Sequence, residues 1–286
     1  MKKKKANVAA SVRARLLAIA KKTGKPYDEV LKLFGIERLL YRFSKSRFKR
    51  ILTLKGALFF LVRDIPDRRT TLDADFQADY DNSTVKIAGM VKEICSIQAE
   101  DDGIKFDSRT INAVKIKEAT EYSGVRVKLI AYMERTRIPV QIDFAFGDVI
   151  YPEAKEVKYP VLLDFTAPKL KGYPPETVMS EKFEAMVKLG DLNSRMKDFY
   201  DVWLIIRKIK PDKSEVAKAV KKTFEHRKTA LPSTGKLFSG DIYDENSDRQ
   251  KLWQAFLNKN GIKNAPLKLS AVAGEIEKFL NKTITI

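Results

Sequence analysis

The chain of 286 residues is 44% hydrophobic and carries a net charge of +18, which predicts a globular protein of one large or two modest domains and excludes a disordered one. Its lone cysteine, Cys95, and lone histidine, His226, exclude an intramolecular disulfide and any metal site built from several cysteines or histidines. The longest apolar run, residues 57–62, is far shorter than the roughly 18 residues of a membrane span, so we expect a cytoplasmic protein without membrane contact.

Positive charge is concentrated at the N-terminus. Residues 1–50 contain 16 Lys and Arg against three acidic residues, which accounts for +13 of the net charge. Such a concentration is typical of proteins that bind a polyphosphate such as RNA, although a solubilising tail explains Lys2–Lys5 equally well. The better candidates for RNA contact are five arginines on segments that have folded patterns: Arg13, Arg15, Arg38, Arg42 and Arg47.

Residues 1–50 are predicted to form a basic helical segment. Apolar residues recur at helical spacing over 8–19, and Gly24-Lys25-Pro26 ends that helix. The pattern then favours two further short helices, over 27–34 and 37–43.

The next part of the chain, 51–165, is predicted to be an α+β core. Residues 51–60 and 72–75 have strand or short-helix patterns around a proline-containing turn. Residues 125–132 and 139–146 alternate like paired strands.

The remaining part, 166–286, is predicted to be a mainly helical domain that follows a linker rich in proline and glycine. Apolar spacing predicts helices over 176–189 and 195–209, and the turn between them offers Asn193 or Ser194 as the N-cap. These two helices therefore form an antiparallel hairpin.

Three aspartates on predicted strands form a candidate metal site. Apolar residues alternate with Asp73 and Asp75, so both carboxylates leave the same face of the strand. Asp143 occupies the same position in a second alternating strand, over 140–144. Neighbouring anions repel, and an all-oxygen site of this kind suits Mg²⁺ completed by water and substrate phosphates. An aspartate pair on a half-buried strand, taken alone, is more often only a solvated polar face.

The predicted helical hairpin pairs a lysine with two aspartates. Residues equally far from the turn face each other, which places Lys182 opposite Asp201, with Asp198 one turn away on nearly the same face. From this spacing alone, an ordinary interhelical salt bridge is a better explanation than a catalytic role.

Six blocks follow one another along the chain: Leu54-Lys55-Gly56-Ala57, Arg69-x-Thr71-x-Asp73-x-Asp75, Gly124-Val125-Arg126, Val140-Gln141-Ile142-Asp143 with Gly147-Asp148, Ser180-Glu181-Lys182-Phe183-Glu184-Ala185-Met186, and Asn193-Ser194-Arg195-Met196-Lys197-Asp198-Phe199-Tyr200-Asp201. In order and spacing these blocks resemble the AbiEii/AbiGii toxin family of nucleotidyltransferases, within the polymerase-β-like superfamily. One departure from the wider superfamily is Ala57, which stands where many members have serine or glycine, so a serine contact to phosphate is not available there.

The resemblance implies a nucleotidyltransferase core, a mixed sheet flanked by helices, with a helical C-terminal domain that contributes to the active site. It implies transfer of a nucleoside monophosphate from an NTP to a hydroxyl, with release of pyrophosphate and with two Mg²⁺ ions, or Mn²⁺ in their place. Asp73, Asp75 and Asp143 would hold the metal, and the other implied catalytic residues are Lys182, Asp198 and Asp201. The implied contacts to the nucleotide and its phosphates are Lys55, Gly56, Arg69, Thr71, Arg126 and Lys182.

The resemblance also bears on partners. It implies a toxin of phage defence or growth arrest with a cognate antitoxin, and the basic N-terminus favours the 3′ end of tRNA or another RNA as the acceptor. Two alternatives stay open. One is nucleotidylation of a protein or small molecule, and the other is a non-catalytic regulator that binds a nucleotide or RNA.

Overall fold

The computed structural model of the protein forms two compact units, and the residues that it describes are 7–117, 123–233, 235–238 and 240–284. The first unit comprises the described residues up to Val62, Thr71–Gly147 and Glu156–Gly172. The second comprises Arg63–Thr70, Asp148–Lys155 and the described residues from Tyr173 onward. In these described stretches, no helix is both long and apolar enough to cross a bilayer.

The described residues form a mixture of helices and strands, as the predicted α+β class requires. The helices are α1 (Val8–Thr23), α2 (Tyr27–Lys45), α3 (Leu58–Val62), α4 (Thr84–Cys95), α5 (Pro175–Leu189), α6 (Met196–Lys208), α7 (Lys213–His226), α8 (Asp248–Asn260) and α9 (Leu269–Ile284), with short 3₁₀ turns at Arg47–Ile51, Gly190–Leu192 and Gly240–Ile242. The strands are β1 (Leu52–Lys55), β2 (Asp73–Ala78), β3 (Lys105–Lys117), β4 (Ser123–Met133), β5 (Thr136–Phe146), β6 (Lys155–Lys158) and β7 (Lys169–Gly172).

The N-terminal helices differ from the prediction at one point. α1 ends as predicted, at Gly24 in the left-handed conformation with φ of 68°. The prediction of two short helices after it is wrong, because α2 continues through Gly35. A Cβ atom on Gly35 would lie only 3.0 Å from the Ile138 side chain and 3.4 Å from that of Val140, both on β5. This glycine therefore lets the helix approach the sheet closely and does not end it.

The described strands form a mixed sheet in the order β3-β4-β5-β2-β1-β7-β6. The antiparallel pairing predicted for 125–132 and 139–146 is confirmed as β4 with β5. β2 is antiparallel to β1 and parallel to β5, so the two strands that carry the predicted aspartates are direct neighbours.

Three stacked phenylalanines fix the inner face of these neighbouring strands. The ring centroid of Phe76 on β2 lies 4.9 Å from that of Phe43 on α2 and 5.9 Å from that of Phe144 on β5. All three side chains are fully buried. Aromatic pairs of this kind add about 0.5–1.5 kcal/mol each beyond the area they bury. Because side chains alternate along a strand, the aspartates of β2 and β5 must leave from the opposite face.

Two of the arginines predicted to contact RNA are instead buried in the first unit. The Arg38 guanidinium, which is 0% exposed, donates to Asp102 and Glu100 at 2.9 Å each, and Arg42 donates to Asp102 at 2.9 Å. The prediction of RNA contact is therefore wrong for Arg38 and Arg42. Their charges are neutralised inside the fold, where an unpaired carboxylate such as Asp102 would be costly.

The other three candidates, Arg13, Arg15 and Arg47, remain at the surface. Arg13 pairs with Glu134, Arg15 with Asp164 and Arg47 with Glu93, and the arginine side chains are 40%, 43% and 73% exposed. Their contact with RNA stays a prediction. The basic run Lys2–Lys5 lies outside the described residues.

The second unit contains the predicted helical hairpin, with α5 and α6 as its two arms. The predicted N-cap is wrong in position, because α6 begins after Arg195 and no side chain caps it. Asn193 acts just before the helix, where its side-chain oxygen accepts a bond of 2.8 Å from the backbone N–H of Arg195. The asparagine thus shapes the turn into α6 rather than its first helical turn.

Candidate active site

The carboxylates of the first unit are aligned by the register of two parallel strands. The Cα atom of Asp75 is paired with that of Asp143, and Asp73 lies two residues earlier on the same face of β2. Ala74 and Phe76, which alternate with them, are buried. The predicted alternation is therefore present on β2, and three acidic side chains leave one face of the sheet within two adjacent strands.

An arginine neutralises one of these carboxylates. Arg126 on β4 is the strand partner of Asp143, and its Nε and Nη2 donate to the two carboxylate oxygens at 2.9 and 2.6 Å. The hydrogen bond with Asp143, together with the charges of Asp73 and Asp75, raises the pKa of Arg126 above its ordinary value. The sequence predicts a phosphate contact for this arginine, but in the structure its guanidinium fork is used by Asp143.

A glycine allows the Asp75 carboxylate to lie against the backbone. Gly56, directly after β1, has φ of +66°, a conformation that favours glycine. A Cβ atom built on Gly56 would lie 1.8 Å from Asp75 Oδ2, which no real contact permits. The preceding residue, Lys55, is the strand partner of Asp75. The space that a side chain at position 56 would fill is therefore taken by the carboxylate.

Thr71 lies just before β2 and contacts the same segment. Its hydroxyl is 3.4 Å from the backbone oxygen of Asp73, a weak local hydrogen bond. Lys55, Gly56 and Thr71 therefore all lie beside the aspartates of β2, and their contact with a nucleotide stays a prediction.

The donors at this face suit a hard divalent cation. Asp73, Asp75 and Asp143 offer only oxygen, the ligand type that Mg²⁺ prefers. Among the described residues, no group of three or more His, Cys, Asp or Glu side chains is already arranged to hold a metal ion. Mg²⁺ commonly takes one or two carboxylates and completes its shell with water and substrate phosphates, so two aspartates beside a side-chain-free backbone fit that mode of binding.

A second ionic cluster lies within the hairpin of the second unit, and here the predicted pairing is confirmed. The ammonium nitrogen of Lys182 on α5 is 2.6 Å from Asp198 Oδ1 and 2.9 Å from Asp201 Oδ2, both on α6. The two aspartate side chains are about 1% exposed. Burial opposes ionisation of Lys182 and Asp198, but the attraction between opposite charges in the cluster outweighs it. The pKa of Lys182 is therefore raised and that of Asp198 is lowered.

Two arginines complete this cluster. Nε and Nη2 of Arg69 both lie 3.1 Å from the Asp201 carboxylate, and Nε of Arg195 lies 2.8 Å from Asp198 Oδ2. The predicted phosphate contact of Arg69 is thus replaced, in this structure, by a fork on Asp201. Arg195 was not among the predicted site residues, although its spacing of three from Asp198, across the start of α6, is a usable signal.

One family model matches most of the chain. The family model described as the nucleotidyl transferase AbiEii toxin of type IV toxin–antitoxin systems matches residues 38–273. The crystal structure of JHP933 from Helicobacter pylori is similar in fold, with a TM-score of 0.50, 12% sequence identity, and coverage of 87% of this chain and 90% of that one. A candidate nucleotidyltransferase from H. pylori gives a TM-score of 0.49 with 13% identity, over 87% of this chain and 92% of that one. No curated protein matches the sequence significantly.

Proposed function

Because the chain belongs to the AbiEii nucleotidyltransferase toxin family of type IV toxin–antitoxin systems, we propose that it moves a nucleoside monophosphate from an NTP to a hydroxyl of RNA, with Mg²⁺ as its cofactor. Pyrophosphate is the other product. The 3′ end of tRNA is the acceptor that we propose. The family implies an antitoxin as a protein partner.

The register of Asp75 with Asp143 is the observation that carries this proposal. It brings acidic side chains from two strands to one face, beside a backbone segment at Gly56 that has no side chain. Asp73, Asp75 and Asp143 would hold Mg²⁺, which supplies charge stabilisation to the attacking and leaving oxygens at the α-phosphorus. The protein itself contributes positioning and preorganised charge more than covalent chemistry.

The remaining groups at this face have distinct proposed roles. Lys55, the strand partner of Asp75, would contact the triphosphate beside Gly56, whose missing side chain leaves room for the Asp75 carboxylate. Asp143 accepts the proton of the attacking hydroxyl. Arg126 holds Asp143 until substrate binds and then offers its planar fork to a phosphate, a geometry that lysine lacks.

The ionic cluster of the hairpin has a separate proposed role. Lys182 neutralises triphosphate charge as a compact ammonium, and Asp198 and Asp201 orient it. The support is that both aspartates contact Lys182 and are nearly inaccessible to solvent, so the direction of its side chain is fixed. A lysine held in this way needs little reorganisation when it meets an anion.

RNA is favoured as the acceptor by charge. The chain has a net charge of +18, and Arg13, Arg15 and Arg47 keep a large part of their side chains exposed. Transfer to a protein or a small molecule would not explain this positive charge. A non-catalytic regulator would not explain the register of Asp75 with Asp143.

The test is to incubate the full chain with each α-³²P nucleoside triphosphate, Mg²⁺ and total tRNA, and to resolve the RNA on a gel. Asp75→Asn should remove the label because it takes one negative charge from the metal site at nearly constant shape. Asp79→Asn, an exposed position just after β2, is the matched control and should keep it. Label that survives in Asp75→Asn refutes the metal assignment. If pyrophosphate is released but tRNA is not labelled, the acceptor is a protein or a small molecule.

A further inference from the structure

A basic groove in the second unit is not used by the chemistry described above. It has a volume of about 550 Å³ and lies between one side of α6 and the segment after α8. Six residues that line it carry the argument, and they are Asp67, Trp203, Arg207, Lys208, Lys263 and Asn264. All of them belong to the second unit.

The aromatic wall of the groove is held from behind by one glutamate. Glu275 on α9 accepts the indole N–H of Trp203 at 3.0 Å and binds the Arg207 guanidinium at 2.8 and 2.6 Å. The guanidinium carbon lies 5.8 Å from the centre of the Trp203 ring. These contacts hold the Arg207 guanidinium over the indole, and its side chain is 55% exposed, so it can still contact a ligand.

The opposite wall is also built before any ligand arrives. Asn264 donates to Asp67 Oδ1 at 2.8 Å, and the Tyr200 hydroxyl donates to the Asp67 backbone oxygen. Lys208 Nζ lies 3.6 Å from Asp67 Oδ2. These bonds fix the loop that faces α6, and a preformed wall lowers the ordering cost of binding.

The groove has a surplus of positive charge. Three cations line it, but Glu275 neutralises Arg207 from behind and Asp67 faces Lys208, so the excess is one positive charge, at Lys263. Arg207 and Lys208 lie in the last turn of α6, where they also offset the negative end of the helix dipole. A role in offsetting the helix dipole does not explain Lys263, which belongs to the loop after α8. Its side chain is exposed, and among the described residues it has no carboxylate within ion-pair distance.

We propose that this groove binds the phosphate backbone of the acceptor RNA, an inference that rests on the proposed transfer to RNA. Separate cations along an open wall suit consecutive phosphates of a strand. Trp203, only 6% exposed, has too little free ring to stack a base as a mononucleotide pocket would require. RNA is therefore favoured over a free nucleotide, which shares the phosphate chemistry.

The experiment measures binding of fluorescein-labelled tRNA and a single-stranded RNA oligomer to the full chain by anisotropy, in EDTA and without NTP. The groove variant is Lys208→Gln with Lys263→Gln, and Arg207 is kept because its loss would leave Glu275 unpaired. The matched control is Lys188→Gln with Lys221→Gln, two exposed lysines of the same unit outside the groove. Thermal unfolding of each variant verifies its fold.

Two lost phosphate contacts should make the slope of log Kd against log salt shallower by about 1.4, since a single-stranded contact contributes about 0.7. At roughly 0.1 M salt this corresponds to about 25-fold weaker binding. The control double variant should bind like the native protein. An equal loss in both double variants overturns the inference, because it reveals only the effect of net charge.

Two further outcomes separate the possible failures. If AMP binds the native protein but not the groove variant, while RNA binds both equally, the ligand of the groove is a free nucleotide and the inference is overturned. If RNA binds through the groove but no nucleotide is ever transferred, the proposed function fails while the groove stands. Full transfer by the groove variant at limiting RNA overturns the inference and leaves the proposed function in place.

Discussion

Replacing Gly56 with alanine tests how the candidate active site is built. The new Cβ atom would lie 1.8 Å from Asp75 Oδ2. A carbon and an oxygen in contact are normally about 3.3 Å apart, so the carboxylate has to move by about 1.5 Å. Alanine must also adopt φ of +66°, which costs about 1–2 kcal/mol.

Both effects can be given a size. A misplacement of about 1 Å at a reacting centre can reduce the rate about 100-fold, so we expect Gly56→Ala to lose at least that factor in nucleotidyl transfer. The free energy of unfolding should fall by about 1–2 kcal/mol from the backbone conformation alone. Gly89, inside α4, is the matched control because a Cβ atom there meets nothing within 4 Å. Gly89→Ala should be stabilised by about 0.5–1 kcal/mol with native activity.

The assay is pyrophosphate release under saturating NTP, together with urea unfolding of both variants. A stable Gly56→Ala protein with native activity would refute the close approach of the carboxylate to the backbone. A destabilised variant with native activity would refute the need for Asp75 in that position, and would leave the structural argument intact.

Three further substitutions have defined outcomes. Burial raises the pKa of Glu37 from 4.5 to about 7, so the folded state holds a proton that the unfolded chain loses, and stability falls as pH rises through that window. Between pH 4.5 and 7 the native protein should lose up to about 3 kcal/mol of its free energy of unfolding, and Glu37→Gln should not show this loss. Urea unfolding at several pH values measures the difference, and the same pH dependence in both proteins would contradict the prediction. Lys182→Met should cost about 3 kcal/mol because it leaves two buried carboxylates with one cation fewer, whereas Lys188→Met on the exposed side of the same helix should cost little in the same assay. Arg126→Met frees both oxygens of Asp143 and should tighten Mn²⁺ binding severalfold in calorimetry; weaker binding would show that the arginine supports the metal site.

Much of the candidate site follows from strand and helix periodicity. Alternation with buried residues correctly assigns Asp73 and Asp75 to one face, because the side-chain period of a strand is two whatever the rest of the fold does. Counting back from a tight turn correctly places Lys182 opposite Asp201, because an antiparallel helical hairpin has a fixed register near its turn. Both arguments use only local geometry.

Other features depend on partners that are distant in sequence. Gly35 predicts a break in the helix from local sequence, but in the structure it lets the unbroken helix pack closely on β5. Arg38 has the charge expected of an RNA contact, but its guanidinium is bound inside the fold by carboxylates more than 60 residues later in the chain. The fork of Arg69 on Asp201 spans 132 residues. No pattern within a short window of sequence contains these pairings.

The parallel alignment of β2 and β5 has a consequence for how the protein is made. Parallel neighbours cannot be joined by a hairpin, and here the crossover includes α4, β3 and β4. Asp143 leaves a ribosome that adds about 5–20 residues per second roughly 3–14 s after Asp75, and the two carboxylates can align only once β5 has emerged. On the proposed function, nucleotidyl transfer would begin only after β5 has been translated. A nascent or prematurely terminated chain that lacks β5 would therefore lack the alignment of Asp75 with Asp143 on which the proposed function rests.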